Sequence, residues 1–158
     1  MMLRSLKILL IVLVGTWCLF GAMVNLSKPN PQAAAAVMSM QDVPGHHVRA
    51  IEHEAAVWLA WSLIPLGKLT AAGLCFAGAA RLWRRRRAPT TDFDQAKSWA
   101  VSGCAVAMAV LYGVFIVFAD GFFEAWRTPL GEQATASAFV YFGCIALIAV
   151  FVNMREHG

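Results

Sequence analysis

The chain has 158 residues, 59% of them hydrophobic and only 14% charged, a composition too apolar for an ordinary water-soluble domain. Its formal net charge of +4 raises nucleic acid as a partner. The basic residues gather at the ends of apolar stretches, however, which points to membrane topology, and no nucleic-acid partner is expected.

Four stretches are nearly free of charge: Ile8 to Ser27, Ala55 to Ala80 with Lys68 as the sole interruption, Ser98 to Ala119, and Gln133 to Met154. Each is near or above the roughly 20 residues that span a bilayer as a helix. None shows the two-residue alternation of a barrel strand. The expectation is an all-α membrane protein, a single domain over residues 1–158 with four transmembrane helices at about 5–27, 47–84, 95–120 and 133–155.

The first helix follows Arg4 and Lys7 and reads ILLIVLVGTWCLFGA. A cleaved signal is the competing reading, but the apolar stretch is long for one, and an uncleaved helix is favoured. Cys18 follows a tryptophan, where a lipoprotein signal would carry a small residue. The next segment opens KPNPQ, whose prolines stop helix 1, and Ala33 to Met40 predicts a short interfacial helix. Pro44-Gly45 marks a turn, and the chain from His46 runs on toward helix 2.

His46, His47, Glu52, His53 and Glu54 form the densest group of metal or proton ligands in the sequence. The zinc-protease signature HExxH fails, because Ala55, Ala56 and Val57 follow His53-Glu54. Haem ligation needs histidines at matching depth on packed helices, and helices 1, 3 and 4 have none in their spans. The favoured reading is a hydrated interfacial face in which Arg49 pairs with Glu52 or His53. Partner contact and a bound metal or cofactor are the alternatives.

Helix 2 contains the sharpest anomaly, WSLIPLGKLTAAG, with Lys68 near its middle. A basic side chain at that depth costs about 2.5 to 3.5 kcal/mol on insertion scales. Pro65 frees a carbonyl near Trp61 that can accept from the ammonium, and Gly67 adds flexibility. Within this chain the outer carboxylates Asp120 and Glu124 are the only close candidates for charge pairing but belong nearer the surface, so a partner subunit, a lipid phosphate or a water-filled crevice is left to complete the site.

The loop RLWRRRR places Arg84, Arg85, Arg86 and Arg87 at one membrane face, as a topology determinant and a lipid-headgroup contact. In DGFFEAWRTPLGEQ, Phe122, Phe123 and Trp126 read as an interfacial aromatic belt, with Asp120 and Glu124 drawing in Arg127. The cysteines, Cys18, Cys75, Cys104 and Cys144, fall one per helix without metal-ligand spacing and read as core packing. By depth, Cys75 and Cys104 belong to one half of the bilayer, and Cys18 and Cys144 to the middle or the other half. Small residues in helices 2 and 3, among them Ala71, Ala72, Gly78, Ala79, Gly103 and Ala107, permit close helix approach.

With both termini cytoplasmic, the inside carries Arg4, Lys7, Arg81, the four loop arginines, Lys97 and Arg155, against Lys28, Arg49 and Arg127 outside. That asymmetry obeys the positive-inside rule, which puts both termini in the cytoplasm.

The succession RSLKILLIVLVG, AAVMSM, a PGHH turn, LTAAGLCFAGAARLW, the basic loop and FDQAKSWAVSG resembles a bacterial family of predicted small integral membrane proteins, domain of unknown function 2165, over nearly the whole chain. The resemblance implies four membrane helices and no established activity. Relatives commonly carry an acidic residue after an Ala-Trp pair in helix 2 and a Gly-Glu-Trp-Phe-like element after helix 3. Here Lys68 takes the first position and DGFF replaces the second, so no site is inherited.

No catalytic set, metal site or cofactor is expected. The function expected is a non-catalytic accessory or structural subunit of a larger inner-membrane complex, in contact with lipids and other subunits. A transport or ion-path component using Lys68, and a quinone- or haem-associated anchor around the histidines, are the alternatives.

Overall fold

The structure, a computed structural model, describes residues 2–40 and 49–156. Helix α1, Met2–Ser27, gives way at Pro29 to α2, Pro31–Met38. Asn30 caps α2 by accepting from the Ala33 N–H at 3.3 Å, and Pro31 occupies the first-turn position that lacks a helical acceptor anyway. Helix α3 runs Glu54–Arg84, followed by α4, Thr90–Ala96, and α5, Ser98–Ala109.

The helix then widens without a break into a π-helix, Val110–Phe122. Its i to i+5 bonding continues into the cap, where the Phe123 N–H reaches the Phe118 carbonyl at 3.1 Å. A single 3₁₀ turn, Ala125–Arg127, leads to α6, Pro129–Asn153. Thr128 caps α6 by accepting from the Gly131 N–H at 3.1 Å.

Four helical stretches, Met2–Ser27, Glu54–Arg84, Thr90–Phe122 and Pro129–Asn153, are long and apolar enough to cross a bilayer. Helix α1 packs along α3, α3 along α5, and α6 along the π-helix and α5. Lipid supplies no hydrophobic drive for helices to associate, so contact depends on how closely backbones approach. A methyl group on Gly78 would collide with the Ala100 backbone, and one on Gly103 would stand 2.6 Å from the Cys75 sulfur. The buried residues recur every three or four positions: Ile8, Ile11, Val14 and Cys18 on α1; Ala71, Ala72, Cys75, Ala79 and Leu82 on α3; Ala100, Cys104 and Ala107 on α5.

Several expectations change in detail. Helix α3 starts at Glu54, and residues 49–53 do not extend it. Instead the Ile51 N–H donates to the Met38 carbonyl at 2.9 Å, which ties the segment to α2. His46 and His47 lie outside the described residues. Cys18 is not separated in depth from Cys75 and Cys104: all three are buried in one core, because Gly15 lets α1 close on Cys75, while Cys144 is exposed. Gly67 serves close packing, since a side chain there would meet Val110.

Candidate functional site

The site centres on Lys68, near the middle of α3. Its side chain crosses to α1, where the ammonium lies 5.4 Å from the centroid of the Trp17 ring. Gly21, one turn beyond Trp17, makes the room, as a methyl group on it would stand 3.0 Å from the Lys68 nitrogen. Trp17 is held in turn by Tyr141 of α6, ring centroids 4.8 Å apart. An indole face attracts a desolvated cation by about 2 kcal/mol, comparable to the roughly 2.5 to 3.5 kcal/mol insertion cost of the lysine. That offsets much of the charge but satisfies none of the three N–H donors with an oxygen. Among the described residues Lys68 has no hydrogen-bond acceptor and no carboxylate partner.

This arrangement replaces the local acceptor expected on α3. Pro65 is fully buried, and Trp61 lines an apolar crevice; the lysine turns toward α1 because that is where a ring and a vacant glycine face meet it. Trp17 and Gly21 are residues that sequence reading missed. Their four-residue spacing puts them on one helix face, but only the pairing of α1 with α3 brings Lys68 to that face.

Asp120 and Glu124, the carboxylates expected nearest Lys68, are engaged elsewhere. Asp120 accepts from the Thr135 hydroxyl at 2.9 Å. Glu124 pairs with Arg49 and, at 2.7 Å, with Arg127. Arg49 therefore reaches across to the second loop, where it also donates to the Phe122 carbonyl at 2.9 Å. Glu52 and His53 are exposed, and the Arg49 contacts among the described residues that fix its direction run to Phe122 and Glu124. Glu124 has φ of 54°, a left-handed turn that sends Phe123 inward to pack with Met38, Met40 and Val57. Phe122 and Trp126 stay exposed, so the aromatic belt loses its middle member.

Beneath α2 lies an apolar crevice of about 200 Å³ between α3, the π-helix and α6, with Val37, Trp61, Phe118 and Leu130 on its walls. It is separate from Lys68. At the opposite end of the bundle, Lys7 and Lys97 are 1% and 2% exposed and meet Glu156 and Asp94. Lys7 pairs with Glu156 at 2.7 Å and Lys97 with Asp94 at 2.5 Å. Arg4 donates to the Ala88 carbonyl at 2.8 Å and approaches Glu156 at 3.7 Å. The described residues contain no cluster of three or more His, Cys, Asp or Glu able to hold a metal.

Residues 3–155 match the family model DUF2165, predicted small integral membrane protein. The chain belongs to that family. No curated protein and no solved structure matches it. Membership and four apolar spans together make this DUF2165 chain a small multi-pass membrane protein in contact with lipid.

Proposed function

We propose that this DUF2165 chain is a non-catalytic accessory or structural subunit of a larger bacterial inner-membrane complex, and that a partner helix seats against the groove between α1 and α3 at Lys68. The observation that carries this reading is a mid-span ammonium held by an indole face with no oxygen partner among the described residues. A carboxylate or carbonyl on a neighbouring membrane helix would complete its hydrogen bonding at a depth where water is scarce. Leu59, Leu63 and Leu66 form an exposed apolar face of α3 turned away from Lys68, which suits lipid. Both termini are assigned to the cytoplasm, on the positive-inside rule.

Tagged chain purified from its native membrane in mild detergent should bring down a stoichiometric membrane partner, identified by mass spectrometry. Lys68→Met should abolish that recovery while leaving the chain inserted and folded. Homogeneous recovery of the wild type without a partner, or unchanged recovery with Lys68→Met, would sink the proposal. Cysteine-labelling accessibility at each terminus in intact cells tests the orientation.

A further inference from the structure

At the junction of α3 and α4 the chain builds a second site, remote from Lys68 and independent of the role proposed for it. A groove of about 340 Å³ lies between the last turn of α3 and the short helix α4. Arg81, Arg84 and Arg85 supply one wall, three and four residues apart and therefore on one face. Asp92 and Gln95 face them from α4.

The three guanidiniums are not equivalent. Arg81 is stacked on the Trp99 ring, 4.0 Å from its centroid, which fixes its plane and leaves its N–H edge for a ligand. Arg84 has no anionic partner among the described residues. Arg85 approaches Asp92 at 3.2 Å, but both side chains are largely exposed, and such a pair opens readily. Three cations thus share one carboxylate around a cavity large enough for a small polar group.

Geometry and position narrow the occupant. Guanidinium forks match the paired oxygens of a phosphate. Trp99, on which Arg81 stacks, keeps part of its ring exposed beside the groove, and such rings favour the headgroup layer of a bilayer. The groove also caps a membrane-length helix, so a phosphate arriving here from the bilayer carries acyl chains that continue along the apolar surface of α3. We infer that the groove binds the phosphate of an anionic phospholipid of the phosphatidylglycerol class. Arg81 and Arg84 donate to its non-bridging oxygens, and Gln95 meets the headgroup hydroxyls.

The test is native mass spectrometry of the full chain in mild detergent, titrated with short-chain phosphatidylglycerol or phosphatidylcholine. Phosphatidylglycerol should bind at least about tenfold more tightly, and Arg84→Gln should weaken it about fivefold, Arg81→Gln with Arg84→Gln about 25-fold, without altering phosphatidylcholine. Lys28→Gln, at the other end of the bundle and outside the groove, should leave both unchanged. Where the glutamine pair fails to insert, Arg81→Lys with Arg84→Lys keeps the basic count and should still weaken binding severalfold through loss of the forks. Equal affinity for the two lipids, or wild-type affinity in either double variant, overturns the assignment. So does displacement of the lipid by inorganic phosphate at equimolar concentration, which would identify a site for the free ion.

Discussion

Lys7 of α1 and Lys97, at the joint between α4 and α5, donate to the same oxygen: the Met154 carbonyl accepts from their ammonium groups at 2.8 and 2.7 Å. Two like charges converge there because Glu156 and Asp94 neutralise them, and because Met154, just past the end of α6, has no helical donor for its carbonyl. The chain termini are thereby tied to the third span. Removing one member of such a buried set leaves a charge uncompensated. Glu156→Gln should therefore destabilise the bundle by about 3 kcal/mol, measured as a lowered thermal midpoint in detergent. The exposed Arg85 and Asp92 pair is the contrast, and Asp92→Asn should cost less than about 1 kcal/mol.

The approach of α3 to α5 gives the second expectation. Gly78 faces the Ala100 backbone directly, whereas Gly73 has nothing within 4 Å of where its methyl would lie. Gly78→Ala should destabilise by about 1 to 3 kcal/mol through forced separation of the helices. Gly73→Ala should be neutral or slightly stabilising, since alanine is the better helix former. Thermal unfolding of the two variants under one detergent condition separates local packing from a general effect of added methyls.

Trp17 and Lys68 should be energetically coupled. In a double-mutant cycle of Trp17→Leu and Lys68→Met, an interaction energy of about 1 to 2 kcal/mol is expected. Gly21→Val should mimic the loss of Trp17 by pushing the ammonium off the ring. Additive effects of Trp17→Leu and Lys68→Met would show that the lysine is stabilised without the indole.

Glu124 joins Arg49 to Arg127 from a left-handed backbone position. Glu124→Asn isolates the charge, because asparagine tolerates that backbone. Hydrogen exchange should quicken in α2 and in residues 49–53, which this contact helps to hold against the second loop. The core of α3 from Ala71 to Leu82 should keep its protection.

The spans were legible because hydropathy alone sets what can sit in lipid, and the small residues Gly78 and Gly103 announced close packing for the same reason. Lys68 stood out as a charge in an apolar run, but its environment did not, since Trp17 and Gly21 belong to another helix and nothing local specifies which helices pair. Lys7 and Lys97 read only as topology charges. Their burial depends on Glu156, a residue of the tail that carries no periodic signal. Phe123 was assigned to the belt because sequence gives no warning that Glu124 takes a left-handed turn. The switch to π geometry at Val110 was equally hidden, as a uniformly apolar run offers no polar face by which to tell one helical period from another.

That switch bears on how the gene can change. Each wide turn of Val110–Phe122 holds one residue more than an α-turn, so this half of the third span contains slack. Loss of a codon there can be absorbed by tightening one turn, with the ends of the segment kept near their places. The same loss in α1 would rotate every later side chain by about 100° around the helix, carrying Trp17 away from Lys68. Insertions and deletions in descendants of this sequence should therefore collect between Val110 and Phe122 and be purged from Met2–Ser27.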